Sequence, residues 1–195
     1  MFHMKQQDYF LTYQNLLKKW QKAVNLVAPS TLSDMENRHF ADSAQLYDYI
    51  PKNSEILVDL GSGAGFPALV LAILNQVNQG PLKKIYLIES DTKKCLFLRE
   101  VIRQLNLSAV VLNKRIETVT DIRADVITAR ALAPLDDLLK LSRPFCHKGT
   151  VCLYLKGKTA NQEIQANTIP CRIEKFPSLT GSDGCILKIT EVSDD

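Results

Sequence analysis

Val58-Asp59-Leu60-Gly61-Ser62-Gly63-Ala64-Gly65-Phe66-Pro67 is the stretch on which the fold turns. It continues a short β-branched run, Ile56–Asp59, and opens an apolar segment, Phe66–Gln76, with helical spacing. Glycines at a strand–helix junction admit positive φ and let the backbone approach a ligand closely. The helix behind offers free N–H groups and the positive end of its dipole. Pro67 suits a first helical turn, where its missing N–H is no loss. Two ligand classes use this geometry, and a glycine turn with no ligand is the bland alternative. Dinucleotide folds use Gly-x-Gly-x-x-Gly to seat a pyrophosphate. Here the spacing is Gly-x-Gly-x-Gly, and Asp59 stands two residues before the first glycine. A carboxylate at that strand end opposes a pyrophosphate but suits a cation, and S-adenosylmethionine carries an amino group and a sulfonium. The motif therefore favours a methyl donor over NAD, with Asp59, Gly61, Gly63 and Gly65 at its site.

Downstream, short β-branched runs alternate with helical patterns. Strands are expected at Ile56–Asp59, Ile85–Glu89, Ala109–Asn113, Asp125–Thr128, Thr150–Leu155, Arg172–Phe176 and Ile186–Glu191. Helices are expected at Phe66–Gln76, Thr92–Leu105, Leu135–Leu141 and Ala160–Ala166. Such alternation means βαβ units and a mostly parallel sheet covered on both faces. Between the last two strands Pro177 to Gly184 reads as a turn-rich loop, so that pair is expected to be antiparallel at one edge. This is the layout of a seven-stranded, Rossmann-like methyltransferase fold. Glu89 ends the second strand, where an acid can accept both ribose hydroxyls of an adenosyl group; a plain surface acid is the alternative. It lies 28 residues after Gly61, beyond the usual spacing of about 20, and the loop Asn75 to Lys84 accounts for the excess.

Upstream, the chain has no strand signal. Phe10, Tyr13, Leu17, Trp20 and Val24 recur every three or four residues and mark one helical face, as core or as an aromatic platform for RNA. Ser33-Asp34-Met35-Glu36 reads as a capping box opening a second helix. Asp42 or Ser43 is expected to cap a third that runs toward Ile50 and is closed by Pro51. The reading is thus an N-terminal helical extension, 1–52, on a methyltransferase domain, 53–195, together one structural unit. His39 and Asp42 fall near each other there, as a lid over the donor pocket or as a buried hydrogen-bonded histidine with its neighbour.

Composition excludes several classes. With 195 residues, 46% hydrophobic and 23% charged, the chain can bury a core without staples. No apolar run is long enough for a transmembrane helix, and the polar stretch Met1 to Phe10 gives no expectation of a signal peptide. The five cysteines (Cys95, Cys146, Cys152, Cys171, Cys185) show no CxxC spacing, which suits a reducing cytoplasm better than a disulfide or zinc framework. His3, His39 and His147 form no ligand pair, and no metal is expected. Net charge is only +3. Basic pairs such as Lys93–Lys94 and Lys114–Arg115 read either as solvated faces or as a basic rim around a site.

Several blocks together resemble the RsmG family, also called GidB, the 16S ribosomal RNA guanine-N7 methyltransferases. They are Trp20, Asn25-Leu26, His39 with Asp42-Ser43, Asp59 through Pro67, Glu89-Ser90 with Lys93-Lys94, Phe97-Leu98, Lys114-Arg115-Ile116-Glu117, Thr128-Ala129-Arg130-Ala131, and Lys156. The chain departs from the family in Ala68, where a glycine usually follows the proline, and in a longer loop before Lys84. The resemblance implies that Gly61 and Phe66 line a donor pocket and that Glu89 binds the ribose. It implies further that Ile116 and Glu117 meet the adenine end and that Arg130 lies between donor and RNA. Lys93, Arg115, Arg130 and Lys156 are then the candidates for RNA contact, and the partner is small-subunit ribosomal RNA or a small-subunit ribosomal particle, bound by a monomer.

Guanine N7 bears a lone pair and no proton, so transfer to it needs no general base. Positioning and fixed electrostatics suffice, and Arg130 is the candidate positioning residue. Two other acceptor chemistries fit less well. The position of an Asn/Asp-Pro-Pro-aromatic loop reads Thr128-Ala129-Arg130-Ala131-Leu132, and Cys171, the one candidate nucleophile for carbon methylation, reads as core. The alternatives are a methyltransferase for a small molecule or protein, and a non-catalytic donor-binding regulatory module.

Overall fold

A computed structural model describes residues 4–181 and 183–192, the side chains of residues 4, 5 and 33 excepted. Seven strands form one sheet in the order β3-β2-β1-β4-β5-β7-β6. They are β1 (Ile56–Leu60), β2 (Lys84–Glu89), β3 (Ala109–Asn113), β4 (Val126–Arg130), β5 (Val151–Lys156), β6 (Arg172–Pro177) and β7 (Cys185–Thr190). The first five are parallel, and β7 runs antiparallel between β5 and β6. The last two strands do pair antiparallel at an edge, as their turn-rich connection requires. Strand order reverses between β1 and β4, and in open α/β sheets the crevice outside the carboxyl ends of strands at such a switch point is where ligands bind.

The helices follow from their apolar spacing. In α3 (Ala68–Val77) the residues from Ala68 to Leu74 are all buried, as an all-round apolar helix must be. Pro67 stands just before α3 as its cap residue rather than inside it. In α4 (Thr92–Leu105), Cys95, Leu98, Val101 and Leu105 form the inward stripe. Its Asp91 cap accepts from the N–H groups of Lys93 and Lys94, and Asn106 ends it in a left-handed turn. On the opposite face, α5 (Leu135–Ser142) and α6 (Ala160–Ala166) close a second core around β4, β5 and β7.

The amino-terminal third packs on the first core. In α1 (Met4–Trp20), Phe10, Tyr13 and Leu17 are buried, and Trp20 sets its edge against Phe97. These aromatics are core, not an open platform. Two expected helix starts are corrected. A helical run already begins with a tight turn over Pro29–Asp34, after extended Ala28. It then widens over Glu36–Ala41, passes through α2 (Asp42–Ala44) and tightens again over Gln45–Tyr49. Ser33 therefore lies inside the run, and its side chain is outside the described residues. Asp42 caps nothing: Ala41 before it is already helical. The Asp42 carboxylate is taken up by Gln45, Ser178 and Thr180 instead.

Tyr13 couples this third to the sheet. Fully buried, it donates from its hydroxyl to the Ala64 carbonyl at 2.5 Å. Tyr13→Phe leaves that carbonyl dry and unpaired, so the variant should lose about 1–3 kcal/mol of stability. Urea unfolding measures this; an unchanged midpoint would remove the anchoring role.

Candidate active site

The glycine loop leaves β1 at the switch point, and its shape is dictated by what crowds it. Gly61 has φ 64°, and a Cβ there would come within 2.6 Å of the Leu132 side chain. At Gly65, φ 91°, a Cβ would meet Leu69 and the Tyr13 hydroxyl. Phe66 at the loop's end is clamped by aromatic rings: Tyr13 stacks at 5.4 Å, His39 stacks at 4.9 Å and Phe40 sets its edge on it at 5.3 Å. The Arg130 guanidinium lies 5.9 Å from the same ring.

A hollow of about 510 Å³ opens over this loop, within the range of small-molecule sites. Among its walls are Gly61, Ser62, Gly63, Phe66, Glu89, Arg115, Ile116, Glu117 and Arg130. His39, Lys94, Lys114 and Leu132 also line it. A second hollow of about 850 Å³ adjoins it, and Arg130, Ala131 and Leu132 line both. The backbone bends sharply there, with Ala131 at φ 49°, a conformation few alanines adopt.

Glu89 is buried at the end of β2, and its carboxylate is already engaged. One oxygen accepts from Gly63 N at 2.8 Å and the other from Asp91 N at 2.8 Å. A carboxylate has about four acceptor sites, so capacity remains for hydroxyls on the hollow side. Asp59 sits behind the wall rather than on it. It is 1% exposed; one oxygen accepts from Thr128 Oγ1 at 2.6 Å, and the other is buried without a partner. Burial pushes its carboxyl up to about 7, against the Thr128 hydrogen bond and with help from the charge of Glu89. An unsatisfied buried acid beneath a glycine loop, with a second acid beside it, is a setting that a cation relieves. The residues present thus fit a donor bearing an adenosyl ribose and positive charge.

His39 is both buried and part of the hollow. Its Nε2 pairs with Thr31 Oγ1 at 2.8 Å. Burial, then the charges of Arg130 and Arg38, lower its pKa to about 4, so it is neutral at neutral pH. Arg130 Nη2 donates to the Arg38 carbonyl at 2.6 Å and lies 3.8 Å from Asp42 Oδ2, while Nη1 is buried without a partner.

The basic candidates separate. Arg115 faces the first hollow, as do Lys94 and Lys114, which sequence reasoning left in the general rim. Lys93 is exposed on α4 and lines neither hollow. Lys156 lines the second hollow with its ammonium taken up, 2.6 Å from both Glu163 Oε2 and the Ala133 carbonyl. Glu163 also accepts from Leu135 N, so the pair ties down both sides of Pro134 in the loop that carries Leu132. Cys171 is half-buried and lines neither hollow. Among the described residues, which exclude His3, no group of three His, Cys, Asp or Glu side chains could hold a metal ion, and no helix is long and apolar enough to cross a membrane.

Comparison with known proteins places these features. The family model described as rRNA small subunit methyltransferase G matches residues 6–182. A ribosomal RNA small subunit methyltransferase G from Paramagnetospirillum magneticum is 48% identical over 183 residues, covering 93% of this chain and 86% of the relative. Its namesake from Rhodospirillum centenum is 46% identical over 188 residues, covering 95% and 84%. Among solved structures, the ribosomal protein L11 methylase of Lactobacillus delbrueckii subsp. bulgaricus aligns with a TM-score of 0.59 at 16% identity, over 77% of each chain. At that identity the likeness is one of fold.

The Asp59 environment has a titration signature. Unfolded, this carboxyl titrates near about 4; folded, it titrates near about 7. Between those values the unfolded chain releases a proton that the folded chain keeps, so this group's contribution to stability falls as pH rises. Asp59→Asn removes the effect. The stability of the native chain relative to the variant, from urea midpoints, should decline steadily between about pH 4 and 7. A flat difference would show that Asp59 ionises normally.

Proposed function

Because the chain belongs to the rRNA small subunit methyltransferase G family, we propose that it transfers a methyl group from S-adenosylmethionine to N7 of a guanine in small-subunit ribosomal RNA. The observation that carries this is the pair of adjoining hollows with a shared wall of Arg130, Ala131 and Leu132. Group transfer needs two reactants held against one another, and the shared wall marks where they meet.

When bound, S-adenosylmethionine supplies an electrophilic methyl group on a sulfonium, which becomes a neutral thioether once the methyl has gone. Gly61 and Gly63 let the loop backbone approach the donor, and Glu89 takes the ribose hydroxyls. Ile116 and Glu117 bracket the adenine end, and Asp59 favours positive charge from behind the loop. Arg115, with Lys94 and Lys114 at the same rim, meets RNA phosphates. Arg130 holds the acceptor at the junction of the hollows. No side chain has to remove a proton, because guanine N7 carries none. Lys156 serves chiefly as a strut for the Leu132 loop, and Lys93 is left to meet RNA away from the hollows. The reaction takes place in the cytoplasm, on RNA or on a small-subunit particle, with the enzyme as a monomer.

Mapping modified nucleosides in ribosomal RNA from cells lacking the gene tests this directly. One 7-methylguanosine should be missing from small-subunit RNA, and purified protein with S-adenosylmethionine should restore it. An unchanged profile would move the acceptor to a small molecule or protein. Arg130→Ala should lower turnover by about a hundredfold while leaving donor affinity nearly unchanged. Undiminished turnover would end the positioning role.

A further inference from the structure

We propose that Asp42, beside Arg130 in the second hollow, reads the Watson–Crick edge of the acceptor guanine and so selects guanine over adenine. The inference rests on the reading of the acceptor given above and deepens it. Guanine's edge presents, in order, the O6 acceptor, the N1–H donor and the N2 amino donor; adenine presents a donor and then an acceptor. The complement of guanine is an N–H donor next to a carboxylate, and Arg130 and Asp42 stand in that relation, with Nη2 and Oδ2 3.8 Å apart.

The other acids lining this hollow are already used. Glu163 accepts from Lys156, Leu135 N and Thr159. Asp183 pairs with Lys158 at 3.2 Å on the exposed rim. Asp42 differs because its two oxygens have separate duties. Oδ1 accepts from Gln45 Nε2 at 2.9 Å, Ser178 Oγ at 3.1 Å and Thr180 Oγ1 at 3.0 Å. Those bonds fix the plane of the carboxylate. Oδ2 has the longer ion pair with Arg130, beyond hydrogen-bond reach. The side chain is 18% exposed, so a base lacking the matching donors leaves a largely desolvated oxygen unpaired.

The placement is also consistent with the chemistry. Around the purine ring N7 lies on one side of O6 and N1 on the other. A base that sets O6 at Arg130 and N1–H at Asp42 has N7 on the side of O6 away from Asp42, and Arg130 belongs to the wall shared with the donor hollow.

The test compares methyl transfer to a small-subunit RNA fragment carrying guanosine at the modified position with transfer to the same fragment carrying adenosine, which keeps N7 but presents an amino donor at position 6 and an acceptor at N1. The native enzyme should prefer guanosine by about tenfold to a hundredfold in kcat/KM. Asp42→Asn keeps an oxygen for the Oδ1 bonds and places an amide donor at Oδ2. It should lose a similar factor on guanosine, show no remaining preference over adenosine, and bind S-adenosylhomocysteine as the native enzyme does. Ser178→Ala weakens the Oδ1 bonds but keeps Oδ2, so its preference for guanosine should persist at whatever rate remains. The proposal is overturned if the native enzyme does not discriminate, if Asp42→Asn keeps the preference or loses donor binding, or if Ser178→Ala abolishes the preference. Absence of N7 transfer to guanosine by the native enzyme is a separate result, seen before any variant is made: it removes the reading of the acceptor, and this inference with it.

Discussion

Phe66 held between the faces of Tyr13 and His39 is the contact on which the donor end of the molecule depends. A loop with glycine at every second position has little of its own to define its shape, and glycine loses more conformational freedom on ordering than any other residue. The definition comes from outside. Each aromatic pair contributes about 0.5–1.5 kcal/mol beyond its buried area, and Tyr13 adds a hydrogen bond to Ala64 within the loop. The helices before β1 are thus one wall of the site.

Charge around the switch point is arranged with similar economy. Asp59 and Glu89 lie under and beside the glycine loop, and Arg130 and Asp42 face each other at the second hollow. Methylation at N7 moves a positive charge from sulfur to the base, so a site that favours cations on one side and orients a neutral base on the other is matched to both ends of the reaction. Asp59 Oδ2 and Arg130 Nη1 are both buried without a partner, the first behind the glycine loop and the second in the wall that the two hollows share.

The sheet and its crossover helices were legible because each is specified locally. A β-branched run, a turn and an apolar period of three to four residues are written within ten or fifteen positions, and all seven strands fall within a residue or two of where that reading places them. The glycine loop and Glu89 were legible for the same reason. What escaped depends on distant partners. Asp42 resembles a helix cap until Ser178 arrives from the other end of the chain. Lys156 resembles a free cation because its partner Glu163 lies on the next helix, outside any strand period. The widened turn over Glu36–Ala41 has no sequence period of its own. Asp59 was read correctly as an acid at a strand end, but strand alternation alone does not say that its side chain goes to Thr128 behind the wall.

The position of β7 between β5 and β6 bears on how the protein is made. A ribosome releases the chain from its amino terminus, so β1 through β5 can assemble while the rest is still being synthesised. The sheet then waits for the final strand, since β6 has no place beside β5 until β7 has filled the gap. The loop joining β6 to β7 brings Ser178 and Thr180 to Asp42, so the second hollow acquires its rim only at this last step. Contacts between the ends of a sequence are slow to form. The donor loop can therefore take shape before the rim of the second hollow does.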